Sequence, residues 1–179
     1  MNGFGQMKDG RGNIAPVTII MPTLAMEAKE AIDNDFALKP YVETRSELYI
    51  DEFMDKLDKA IHDARDILIE RYQHICSQSP ESASFMYENG TMRGYVPEEG
   101  IRSALKHGTL AIGQLGLAET LQILIGCNQL DPKGLELGQR IEKLFNERCK
   151  EFKNELHKDS DGYEYYLNFG VYLTPKCNI

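Results

Sequence analysis

The sequence predicts an α/β protein built on parallel strands. The strongest of three observations is the stretch from His107 to Gly126, HGTLAIGQLGLAETLQILIG, where a short apolar run turns directly into a helical pattern. Thr109 to Ile112 is apolar and bounded by glycine, as a strand buried on both faces should be. Leu117, Leu121, Leu124 and Ile125 then recur at helical spacing, with Gly113, Gly116 and Gly126 as punctuation. The second observation is another strand-to-helix unit beginning at Asn13. The third is an aromatic, β-branched run near the end of the chain, preceded by long helical patterns. Such alternation of strand and helix is the pattern of a parallel sheet or barrel.

Taken in order, residues 1–12 carry four glycines and no apolar periodicity, and so read as an opening loop. Asn13 to Met21 is a β-rich run, in which Pro16 requires a strand start, an edge or a bulge because it donates no ladder hydrogen bond. Thr23 to Ile32 follows as a short helix, with Thr23 as candidate N-cap and Leu24, Ala28 and Ala31 on one face. Asn34 to Thr44 is irregular. Ser46 to about Ser77 is the clearest helix, with Ile50, Phe53, Met54, Leu57, Ala60, Ile61, Ala64, Ile67, Leu68, Tyr72 and Ile75 on its apolar face. Glu70 and His74 have the i,i+4 spacing of a metal pair but no third ligand nearby, which favours a solvated helix face.

Ser77 to Gly100 is rich in turn residues, with Phe85, Met86 and Tyr87 as its expected anchors. Ile101 to Lys106 makes a helical turn leading into His107. Asp131-Pro132 opens a helix whose stripe runs Leu135, Gly138, Ile141, Leu144, Phe145, Cys149, Phe152 and Leu156. After an Asp161-Gly162 turn, Tyr163 to Leu173 reads as one strand that ends at Thr174-Pro175. No helical pattern follows to cover it, so the chain is expected to be a piece of a larger fold.

Composition narrows the function classes. A chain of 179 residues with 42% hydrophobic residues has enough apolar material for one domain with a sizeable core. The formal net charge of −8 argues against a general nucleic-acid binder, whose affinity rests on Lys and Arg neutralising phosphates. No apolar run approaches a membrane span and no signal peptide opens the chain, so a cytoplasmic location without membrane or nucleic-acid partners is expected. Cys76, Cys127, Cys149 and Cys177 are scattered without a CxxC pair, which disfavours a closed metal site.

Several residue groups can carry chemistry. His107, Gly108 and Thr109 at a strand boundary offer an imidazole, a close backbone approach and a hydroxyl to a polar ligand. The competing reading is a helix end closed by Gly108, with His107 favoured by the helix dipole. Gly113 and Gly116 before a helix suit an anion, and close strand-to-helix packing explains them equally well. Gly10 to Asn13 sets a guanidinium and an amide beside a strand start. Thr174-Pro175 would present a phosphate-binding turn only if a helix followed.

The motifs GRGNIAPVTI, ERYQHICSQSPESASFMYENGTM, ALKHGTLAIGQLGLAETLQILIG and LNFGVYLTP, in this order and spacing, resemble anaerobic, class III ribonucleoside-triphosphate reductases. The resemblance implies a ten-stranded α/β barrel of the glycyl-radical enzymes. Residues 1–179 would form one partial segment of it, with 176–179 as a tail outside the family pattern. It also implies reduction of a ribonucleoside triphosphate at the 2′ carbon. A radical-SAM activating enzyme installs a glycyl radical, which makes a cysteine thiyl, and formate or a thiol supplies the reducing equivalents. The thiyl cysteine, the radical glycine and a structural zinc match no position here, so no catalytic residue, metal ligand or cofactor is expected in this chain and the isolated chain is expected to be inactive.

By the same resemblance Asn13 approaches the substrate ribose, His107, Gly108 and Thr109 match an HGT motif of the substrate site, and Thr174 and Pro175 match the start of a phosphate-binding TPAE turn. That turn departs from the family as Thr174-Pro175-Lys176-Cys177. The implied partners are the remaining reductase segments, the activating enzyme and a second copy in a homodimer. The alternatives are a non-enzymatic remnant that binds a partner, and a generic α/β phosphate binder.

Overall fold

The computed structural model describes residues 12–35 and 45–173. Its centre is β2, Thr109–Leu115, whose residues are buried on both faces from Leu110 to Gln114. An uninterrupted apolar run with small residues can be covered on both sides, and this one accepts a parallel neighbour on each edge. β1, Asn13–Ile20, pairs along one edge and β5, Asn168–Leu173, along the other, in the order β1-β2-β5. The strand begun at Thr109 thus continues through Gly113, beyond the expected end at Ile112. Pro16 sits on an outer strand of this sheet, as its missing N–H demands, and its carbonyl accepts a hydrogen bond from Arg71 Nη1 at 2.8 Å.

β1 passes directly into α1, Met21–Asn34. The cap position is Ile20, with no side-chain cap, and Pro22 lies in the first turn, so Thr23 is inside the helix instead of capping it. Pro22 presets the helical φ there, which moves the start upstream of the only good capping side chain. α2, Arg45–Cys76, buries Tyr49, Phe53, Leu57, Ile61, Ala64, Leu68 and Tyr72. These spacings of three and four select a narrower stripe than expected, and Ile67 is left on the exposed side. The segment between α2 and β2 holds short turns, α3 (Ser84–Glu88) and α4 (Ile101–Leu105). Phe85 and Met86 do not anchor it: Phe85 is 72% exposed, while Tyr87 packs on Tyr95 with ring centroids 4.9 Å apart.

α5, Leu117–Ile125, starts at Gly116 and ends at Gly126, both left-handed. α6, Pro132–Phe152, is capped as expected by Asp131, whose carboxylate accepts from the Lys133 N–H at 2.9 Å. Leu137 is buried where Leu135 was expected, and Leu135 is 51% exposed. The helix stops at Phe152, so Leu156 falls instead in β3, Leu156–Lys158, and is exposed. β3 pairs antiparallel with β4, Glu164–Tyr166. The single strand expected from Tyr163 to Leu173 is therefore two, separated at Leu167.

The helices pack on one face of the sheet. Ala15 and Ile19 of β1, Leu110 and Ile112 of β2, and Phe169 of β5 join the helix residues Phe53, Leu57, Ile61, Leu121, Ile141 and Phe145 in one core. Gln114 points to the same side, donating to Glu142 Oε1 of α6 at 2.5 Å. Residues 1–11, 36–44 and 174–179 lie outside the described residues. Of the stretch expected to be irregular, Asn34 to Thr44, Asn34 instead ends α1 and residues 36–44 are not described.

Candidate functional site

Strand alternation leaves the other face of the sheet to Pro16, Thr18 and Ile20, to Thr109, Ala111, Gly113 and Leu115, and to Asn168, Gly170 and Tyr172. None of these is charged. At the N-terminal end of the strands, Asn13, Thr109 and Asn168 are register partners across all three strands. Asn13 and Ala15 would share a face on a regular strand. The pairing shifts by one residue between them, and that bulge turns Asn13 level with Thr109 while Ala15 goes to the core. Asn13 and Asn168 are exposed. Asn168 Nδ2 donates to Thr109 Oγ1 at 3.1 Å, which leaves the threonine's own hydroxyl proton unspent. The Thr109 N–H donates to the Gly12 carbonyl at 2.7 Å and fixes the start of β1 against β2.

His107 is exposed just before this row, and Gly108 is buried. Gly108 has no positive φ, so it is not a left-handed cap. Its N–H closes the α4 end onto the Leu105 carbonyl at 2.8 Å, and a Cβ there would lie 2.5 Å from Ile14 Cγ1. The glycine is thus explained by the Ile14 side chain folded over it. Packing also explains the two glycines whose place before a helix suits an anion: a side chain at Gly116 would overlap Pro22 of α1, and one at Gly113 would lie 2.5 Å from Tyr172 Cζ. The structure brings Asn13, Gly108 and Thr109 together with His107 adjacent. Thr174 and Pro175 lie outside the described residues, and Leu173 before them is paired with Gln114, five residues along β2 from Thr109. That separation is roughly 16 Å at the rise of a strand.

Three polar residues on this face were not singled out from the sequence. Asn168 contacts Thr109, and Thr18 Oγ1 and Tyr172 OH lie 2.8 Å apart above Gly113. The alternation in NFGVYL puts Asn168, Gly170 and Tyr172 on one side, which was the available signal. Which strand they face is set by pairing that no local spacing contains.

The described cysteines lie away from this face. Cys149 is in the core on α6, where burial pushes its thiol up to about 11. Cys76 ends α2, and burial raises its thiol against the opposing pull of Tyr72 and Arg102. Cys127 follows α5. Among the described residues no three of His, Cys, Asp and Glu converge on a possible metal position, and no helix is long and apolar enough to cross a membrane.

A parallel sheet with helices on one face and an uncharged row of amides and hydroxyls on the other defines an α/β protein with a surface suited to a hydroxylated ligand. Residues 2–176 match the family of the anaerobic ribonucleoside-triphosphate reductase. The chain belongs to that family. Among its relatives are the anaerobic ribonucleoside-triphosphate reductases of Salmonella typhimurium (strain LT2) and Escherichia coli (strain K12). Each is 24% identical over 183 residues, covering 97% of this chain and 21% of the relative. The chain therefore spans about a fifth of the length of the curated relatives it matches.

Proposed function

We propose that this chain supplies part of the substrate-holding wall of an anaerobic ribonucleoside-triphosphate reductase, a segment of the ten-stranded barrel to which the three parallel strands contribute. The observation that carries the reading is the row Asn13, Thr109 and Asn168, level on the sheet face that none of the described helices covers. Asn13 offers both amide donors and a carbonyl acceptor, and Thr109 a free hydroxyl proton, which together suit the vicinal hydroxyls of a ribose. His107 and Gly108 border that row, and Thr174 and Pro175 are assigned to the triphosphate end.

The groups that would carry radical chemistry do not fit the described residues. No described cysteine lies on the polar face, and the described cysteines sit on separate elements with no convergent zinc ligands. We assign the thiyl cysteine, the glycyl radical, the zinc and the formate or thiol reductant to the remaining segments of the enzyme, activated by a radical-SAM partner and dimeric in the cytoplasm. These 179 residues alone should then give no 2′ reduction.

The test is anaerobic turnover of ribonucleoside triphosphate by the assembled reductase with the chain carrying Asn13→Ala or Asn168→Ala. Each should lower kcat/KM by about tenfold or more, the equivalent of one to two hydrogen bonds. Turnover at the wild-type level in both variants would leave the row without a part in substrate binding and sink the proposal.

A further inference from the structure

The polar face carries a second feature, separate from the amide row. β1 and β5 are not neighbours; two strand spacings place them roughly 9.6 Å apart across β2. The Tyr172 side chain nonetheless reaches Thr18, and the two hydroxyl oxygens lie 2.8 Å apart. To do so the ring crosses over β2 at the one register position without a side chain: Thr18, Gly113 and Tyr172 are partners in the ladder. A Cβ on Gly113 would lie 2.5 Å from Cζ and 2.8 Å from the phenolic oxygen. The ring is therefore held by three things at once, namely the strand register, the hydroxyl of Thr18 and the bare backbone beneath it.

We propose that this Thr18–Tyr172 pair is a ligand-contacting site that recognises an uncharged polar group on the nucleoside portion of the substrate. In the pair one hydroxyl donates to the other, so one O–H hydrogen and several lone pairs remain for a third group. The side chains around it on this face, Pro16, Ile20, Ala111, Leu115 and Gly170, are uncharged, and Arg71 of α2 meets Pro16 through its backbone carbonyl, so no cation among these face residues balances a phosphate. A neutral donor and acceptor fixed on an apolar floor matches a sugar hydroxyl or a base edge, and matches a polyphosphate poorly. The pair is four residues along β2 from Thr109, about 13 Å, so substitution at one position leaves the other in place. The assignment rests on the reading of this face as the substrate wall.

Equilibrium binding of an uncharged ribonucleoside and of its triphosphate to the assembled reductase tests it, using Tyr172→Phe, Thr18→Val and Asn13→Ala. Tyr172→Phe keeps the ring and Thr18→Val keeps the branched strand residue, so both spare the fold. Each should weaken the nucleoside and the triphosphate alike, by about three- to tenfold, leaving the ratio of the two affinities unchanged. A loss confined to the triphosphate would mean a phosphate contact and would overturn the inference, as would unchanged binding of both ligands. If Asn13→Ala weakens binding while the pair variants do not, this inference falls and the substrate-wall reading stands. If the wild-type assembly binds neither ligand, both fall.

Discussion

Gly113 and Gly134 are both glycines because of what lies against them, and they differ in what would have to move. Over Gly113 lies the far end of a tyrosine, which can swing aside at the expense of its bond to Thr18. Over Gly134 lies the backbone carbonyl of Asn128, held in the turn that leads into α6. Gly113→Ala should cost about 1 kcal/mol and Gly134→Ala about 3 kcal/mol or more in urea denaturation, overpacking against backbone being the harder to relieve. Equal losses would mean that the tyrosine is not free to yield. At the same scale, burial holds the His157 imidazole below its ordinary range, with Arg65 adding to the effect and Glu155 opposing it. Its Nε2 is buried without a hydrogen-bond partner, and its ring lies 5.7 Å from that of Tyr165. The proton then prefers the unfolded chain, so the stability His157 contributes is complete above its unfolded value near 6.5 and is lost as the pH falls through that value toward its lower folded one. The drop in Tm between about pH 7.5 and pH 5.5 should be smaller in His157→Gln than in the wild type. An identical drop would show that the imidazole takes up its proton freely in the folded state.

Elements are joined by few but specific polar contacts. Arg148 of α6 donates from Nε to Asp58 Oδ1 of α2 at 2.6 Å and from Nη2 to Oδ2 at 3.2 Å, while Nη1 reaches Glu151 at 2.7 Å. Both side chains are about 30% exposed, so solvent screens the pair and Arg148→Ala should cost about 1 kcal/mol, with a smaller difference from wild type in high salt. A salt-independent loss would assign the effect to the packing of its stem instead. The helices themselves were readable in advance wherever a local rule governs them: Asp131-Pro132 starts α6, and Gly126 ends α5 in a left-handed conformation. Where tertiary pairing decides, the sequence misled. Burial alternates without a break through Tyr165, Leu167 and Phe169, so periodicity joins β4 to β5 although the partner changes from β3 to β2. Leu156 keeps the helical phase of Phe152, and nothing of the glycine or proline kind marks the end of α6 between them. Of the candidate site, Asn13 and Thr109 were visible as motif residues. Thr18, Asn168 and Tyr172 were not, because their meeting depends on register between strands up to 154 positions apart.

At the scale of the whole molecule, protection should follow the sheet order. β2 is paired on both edges and its residues are buried from Leu110 to Gln114, whereas β1 and β5 each have one edge without a partner strand among the described residues. Amide hydrogen exchange should therefore be slowest in β2 and faster at alternate positions of β1 and β5, and in the proposed assembly those outer positions should slow selectively. Uniform protection of all three strands in the isolated chain would mean that their outer edges already have partners.

The hydroxyl bridge between Thr18 and Tyr172 has a mechanical consequence besides its chemistry. A tie between the two outer strands on one side of a sheet acts like the chord of a bow: it shortens that side and resists flattening of the arc. The side it spans is the one away from the helices. The same two side chains thus bias the outer strands to bend toward the polar face, so the curvature of this sheet is set by a contact sequentially remote and only one hydrogen bond strong.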